Sequence, residues 1–208
     1  MTVHVKVGGV WKTASAVYNK VGGVWKTASD MPVKIGGVWK TGILASGAFE
    51  SIATATGNGT ATSVTFSSIP STYKHLQIRF ITKSNSGDLY QIQMNGDTAS
   101  NYARHHLYGN GTTAAAGGGA TQSNIWVFGA PVGSSTTYYT VGIIDIHDYA
   151  SSTKNKTVRA FTGMDANGSG EVDLCSGVWL STTAVNSVKF MSNGGNLATG
   201  TTIALYGI

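Results

Sequence analysis

The decapeptide KVGGVWKTAS at residues 6–15 recurs at 20–29, and KIGGVWKTG follows at 34–42, so Trp11, Trp25 and Trp39 stand 14 residues apart. This repeat is the strongest constraint in the chain. A Gly-Gly pair between two alternating apolar segments predicts a hairpin, because a primed two-residue turn needs positive φ, which glycine adopts without steric cost. With Gly8 and Gly9 at the turn, Val7 pairs with Val10 and Lys6 with Trp11, since pairing runs outward from the loop. Gly22 and Gly23 place Lys20 opposite Trp25, and Gly36 and Gly37 place Lys34 opposite Trp39. Lys and Trp then share one face of each hairpin, where an ammonium stem can stack on an indole. A lone two-stranded hairpin is marginal in water. These residues are therefore expected to attach or oligomerise, ordering against a partner surface. Lys-Trp pairs also occur in single-strand nucleic-acid binders, but packing accounts for buried tryptophans more often, so nucleic acid is not an expected partner.

Charge separates this arm from the rest. Residues 1–42 hold six lysines against Asp30 alone, whereas the remainder balances eight basic with eight acidic side chains. The 14-residue period also stops at Gly42, so the expected organisation is an arm over 1–42 and a domain over 43–208. With 28 glycines, 3 prolines and only 11% charged residues, the composition favours strands and turns over helices. Short alternating runs such as KHLQIRFITKS (74–84), TYYTVGIIDIH (137–147) and EVDLCSGVWL (171–180) give about ten strands. The predicted fold is all-β: an antiparallel β-sandwich, jelly-roll-like, with an immunoglobulin-like sandwich as the alternative. Asn95-Gly96 and Asn193-Gly194 are predicted turns. GNGTTAAAGGGATQS (109–123) reads as a flexible exposed loop. No apolar run is long enough for a membrane helix and no secretory leader is evident, so synthesis in a cytosol is expected. The lone Cys175 cannot form an intrachain disulfide.

Candidate chemistry is sparse. Asp165, Asn167, Ser169 and Asp173 imitate the early positions of a calcium loop, but position twelve is Ser176 rather than a bidentate Glu, so no metal is expected. His105 and His106 point to opposite faces of a strand. Asp145, His147 and Asp148 lack a nucleophile-elbow motif, and Asp88, Asp97, Asp145 and Asp148 show no glycosidase-like pairing. Neither a P-loop nor a dinucleotide motif is present. The expectation is a protein that is not an enzyme and takes no cofactor.

The GGVWK repeats, IPSTYKHLQIRF (69–80), QMNGDTASNYARHHLYGNG (93–111) and the ending TTIALYGI (201–208) resemble structural proteins of tailed bacteriophages, particularly tail-fibre and other appendage proteins. The resemblance implies location in the virion, a homotrimer, an N-terminal segment fixing the subunit to other virion proteins, and a β-rich domain facing the host surface through loops such as 109–123 and 163–171. The chain is short for a fibre, so a capsid decoration or cement protein is the alternative. A carbohydrate-binding module is another, with Tyr102, Tyr108, Trp126 or Tyr138 against a host glycan.

Overall fold

The computed structural model describes residues 4–7, 9–13, 18–21, 24–27, 33–35, 38–40, 49–86, 89–127 and 137–208. The chain divides into two units, Met1–Ala48 and Phe49–Ile208. The boundary expected near residue 43 lies outside the described residues.

The first unit contains three two-stranded antiparallel sheets: β1 (His4–Val7) with β2 (Val10–Thr13), β3 (Tyr18–Val21) with β4 (Val24–Thr27), and β5 (Val33–Ile35) with β6 (Val38–Lys40). The registers are those the glycine turns dictate. Lys6 pairs with Trp11, Lys20 with Trp25 and Lys34 with Trp39, while Val7, Val21 and Ile35 pair with Val10, Val24 and Val38. Gly9 has φ +84°, the left-handed conformation required of a primed turn. Gly8, Gly22, Gly23, Gly36 and Gly37 lie outside the described residues, as do the side chains of the paired lysines and tryptophans.

The second unit is an antiparallel β-sandwich. Its strands are β7 (Glu50–Thr56), β8 (Ser63–Phe66), β9 (Leu76–Thr82), β10 (Tyr90–Met94), β11 (Tyr102–Gly109), β12 (Ala114–Gln122), β13 (Ile125–Trp126), β14 (Thr140–His147), β15 (Lys156–Asp165), β16 (Gly170–Trp179), β17 (Val188–Ser192) and β18 (Thr202–Gly207). One sheet runs β12-β11-β16-β15-β14-β9-β18-β7, the other β13-β10-β17-β8. The first and last strands of this unit nest, β7 pairing with β18 in the large sheet and β8 with β17 in the small one. This alternation between sheets is the jelly-roll-like element, and the meander β14-β15-β16 widens the large sheet beyond it.

Period-two alternation builds the core. In β9, Leu76, Ile78 and Phe80 are buried while Arg79 and Ile81 are exposed. Phe80 meets Phe190 of β17 and Tyr90 of β10 at ring separations of 5.0 and 6.0 Å, joining the two sheets. Asn95 and Gly96 both have positive φ, and the Asp97 N–H donates to the Met94 carbonyl (3.0 Å), closing the predicted turn. Gly194 likewise takes a positive φ after β17.

Residues 109–123 are not a flexible loop. Asn110–Thr113 make a tight turn, closed by the Asn110 N–H donating to the Thr113 carbonyl, and 114–122 form the edge strand β12 against β11. The low complexity has a packing cause. A Cβ on Gly117 would fall 2.7 Å from the His106 ring, and one on Gly118 2.7 Å from the His105 ring. The two imidazoles, on opposite faces of β11, leave no room for larger residues beside them.

Candidate interaction surface

The eight-stranded sheet has one face on the core and one turned outward, and the outward face is unusually apolar. Leu107 of β11, Leu174 of β16, Phe161 of β15 and Ile143 of β14 are successive partners across four strands. Beside them, Val172, Gly163, Val141 and Ile81 form a second row across β16, β15, β14 and β9. The exposures run from 40% for Ile143 to 54% for Leu107 and Phe161. Scattered exposed apolar residues are ordinary, but a contiguous band is not. Gly163 leaves a hollow in it of about 330 Å³, lined by Val141, Ile143 and Phe161.

A polar row borders the band, formed by His105, Ser176, Arg159, Asp145 and Gln77. Its charged members are paired. Arg159 and Gln77 each donate to the Asp145 carboxylate at 2.7 Å, and Arg79 Nε donates to Gln77 Oε1 at 2.6 Å. Burial works to raise the Asp145 pKa, but hydrogen bonds from Gln77 and Arg159 and the Arg159 charge outweigh it and hold the carboxyl below its ordinary value. The Arg79 guanidinium lies over the Phe49 ring at 4.5 Å and the Tyr206 ring at 5.2 Å.

At one end of this face the tip of the β15–β16 hairpin meets the β11–β12 turn around a groove of about 570 Å³, lined by Asn110, Tyr139, Asp165, Ser169 and Glu171 among others. The segment 163–171 is thus a hairpin tip. Asn167 and Gly168 both have positive φ, and the Ala166 N–H donates to the Ser169 carbonyl at 2.7 Å. This accounts for the calcium-like spelling. The Asp165 carboxylate accepts the Asn167 N–H (2.7 Å), whereas Asp173 lies along β16 and points to the interior at 1% exposure. Among the described residues no three His, Cys, Asp or Glu side chains converge as a metal site.

Beneath the band, in the inward phase of β16, lie two buried titratable groups. Neither Asp173 oxygen has a hydrogen-bond donor in reach among the described residues. Burial first, and then the Glu171 carboxyl by its charge and as a hydrogen-bond acceptor, push the Asp173 pKa up to about 7. Its neighbour Cys175 is buried, its thiol donates to the Trp126 carbonyl at 2.9 Å, and burial raises it to about 11. Such a thiol is unreactive at neutral pH.

The other singled-out residues scatter. Asp145 and His147 project from the outward face of β14. Asp148, in the following turn, accepts from Lys154 Nζ at 2.7 Å, and its N–H donates to His75 Nδ1 at 3.0 Å. Asp97 accepts from the Trp179 indole at 2.7 Å; Asp88 lies outside the described residues. Of the aromatics considered for a glycan, Tyr102 is fully buried against Trp179, Trp126 packs under the Arg104 guanidinium at 3.9 Å, and Tyr108 stacks on His106. Tyr138 alone of the four is exposed, so the set does not form a sugar platform.

The band strands are half-buried as their alternation predicts, but a polar outer face was expected where an apolar one stands. Its signal was present: TVGIIDIH carries Val141 and Ile143 in one phase and Ile144 and Ile146 in the other. A strand apolar in both phases sets apolar side chains on both faces of its sheet. No known protein family, no curated protein and no solved structure matches the chain.

Proposed function

We propose that this chain is a non-enzymatic structural protein of a bacteriophage particle. In this reading it assembles with itself as a homotrimer, docks to other virion proteins through residues 1–42, and presents the sandwich to the host surface. The observation that carries the proposal is the arm: three hairpins in one register, each setting a lysine opposite a tryptophan, next to a domain with a complete core of its own. Repeated aromatic and cationic pairs on elements too small to bury them suit capture by a larger surface. The phage-like segments quoted above support the virion setting. In this reading the host is met by the β15–β16 tip, within the expected 163–171, and by the β11–β12 turn, to which the expected 109–123 contracts, both bordering one groove.

The test replaces Trp11, Trp25 and Trp39 together by Ala in the full chain and quantifies the protein in purified particles. Incorporation should drop at least tenfold while the sandwich keeps its thermal transition; normal incorporation would overturn the arm's role. Copy number from the same gels separates the two settings. Appendages require on the order of tens of copies, and a decoration protein clamping the head requires hundreds.

A further inference from the structure

We infer that the outward face of the eight-stranded sheet is where copies of this chain pack on one another, with Leu107, Leu174, Phe161, Ile143 and Val141 at the centre of the contact. The inference rests on the proposal of a self-assembling structural protein and names the surface that proposal needs.

Area is the first argument. From their fractional exposures, the seven apolar side chains of the band present roughly 600 Å², the upper end of what a monomer ordinarily shows in one patch. A polar border would bring this to the ~800 Å² that each partner contributes to a standard interface.

The orientation of β16 is the second. That strand turns Val172 and Leu174 to solvent and Asp173 inward, at the cost of a buried carboxyl without a donor. Cys175 and Trp179, buried in the same phase as Asp173, hold the strand in this orientation, and the two aliphatics it leaves in water, Val172 and Leu174, gain from being covered.

Charge favours another copy over a charged partner. The sequence from residue 43 onward balances eight basic with eight acidic side chains, so like faces approach without net repulsion, and an anionic surface gains little from it. The charged row beside the band is already paired, Arg159 to Asp145 and Gln77 to both Asp145 and Arg79. Covering it therefore leaves few orphaned groups, which is the usual penalty for burying a polar border. An open sheet face also matches another sheet face at the ordinary packing distance of about 10 Å.

The experiment is sedimentation equilibrium of the full chain, wild type against Phe161→Asp and Leu174→Asp, with Thr65→Asp on the exposed side of β8 as control. Both band positions face solvent in the single chain, so the variants should fold, as circular dichroism will report. The wild type should sediment as a multi-chain species, the two band variants should associate at least tenfold more weakly, and the control should match the wild type. If the band variants fail to fold, radical footprinting of the wild type over a dilution series replaces them, with Phe161 and Leu174 gaining protection as concentration rises. A monomeric wild type, band variants that associate normally, or concentration-independent footprints would each overturn the inference. Incorporation into particles is read separately, so a monomer that still joins particles overturns this inference and leaves the attachment reading intact.

Discussion

At the scale of single residues, Asp173 is the most informative position. Its ordinary pKa is 3.8 and burial in the fold, reinforced by Glu171, takes it to about 7. Below the lower value the carboxyl is protonated in folded and unfolded chains alike and contributes nothing. Between the two, the folded chain holds a proton that the unfolded chain has lost, so stability falls as pH rises, by at most about 4 kcal/mol. His75 and His106 act in the opposite sense. Burial lowers both, so each loses stability as pH drops below the ordinary histidine value of about 6.5. Asp97 and Asp148 are also lowered, by hydrogen bonds from Asn101 and Trp179 and from Lys154 respectively, and act below the ordinary carboxylate range. The Asp173→Asn variant isolates the one contribution, because Asn resembles the neutral acid. Calorimetry from pH 4 to 8 should show it gaining on the wild type as pH rises, and a constant difference between the two would refute the buried acid. The burial of this position follows from its phase in β16. Between Val172 and Leu174, period-two logic sends an aspartate outward, but Cys175, Gly177 and Trp179 lie in the same phase as Asp173, and the Trp179 bond to Asp97 fixes that phase inward.

At the scale of elements, the strands with strong alternation were legible and the small-residue strand was not. Leu76, Ile78 and Phe80 announce β9, and Asn167-Gly168 supplies the turn that joins β15 to β16. By contrast, AAAGGGATQ carries no hydrophobic period, because the side chains filling the space around β12 belong to β11. The Gly117→Val substitution tests that account. A branched side chain there must displace the His106 ring, which would sit 2.7 Å from the new Cβ, and overpacking of this kind costs about 1–3 kcal/mol. Amide exchange should accelerate in 114–122 while β15 is unaffected; unchanged protection in β12 would show that the glycine is not required by packing. The arm illustrates the opposite case. Its pairing was legible to the residue, since a Gly-Gly turn dictates register, yet what the hairpins dock to is not encoded in their own spacing. β14 is half-buried as its alternation predicts, Ile144 and Ile146 inward and Val141 and Ile143 outward; the outward band is the apolar content of its second phase.

At the scale of the whole molecule, the question is whether the sandwich is one cooperative body. The four-stranded sheet cannot hold its inward face without the larger one, because Phe190 of β17, fully buried, packs on Phe80 from the opposite sheet at 5.0 Å and on Tyr90 at 5.4 Å. Replacing Phe190 by Ala removes the ring common to both contacts and opens a cavity between the layers, at a cost of about 3–5 kcal/mol. For a domain of this size each kcal/mol moves the midpoint by about 2–4 °C, so a fall on the order of 10 °C is expected. The form of the transition discriminates more sharply than its midpoint. Far-UV circular dichroism reports strands throughout, whereas the tryptophan signal, read in a Trp11→Ala, Trp25→Ala, Trp39→Ala background, comes from Trp126 and Trp179 of the sandwich alone. If the sheets depend on each other, both signals shift together in one step, as two-state unfolding requires. Two separated steps, with the strands of the large sheet surviving loss of the aromatic contact, would mean that the large sheet is stabilised from its other side. For a sheet with an apolar band on its outward face, that outcome would identify a covering partner as part of the fold's stability.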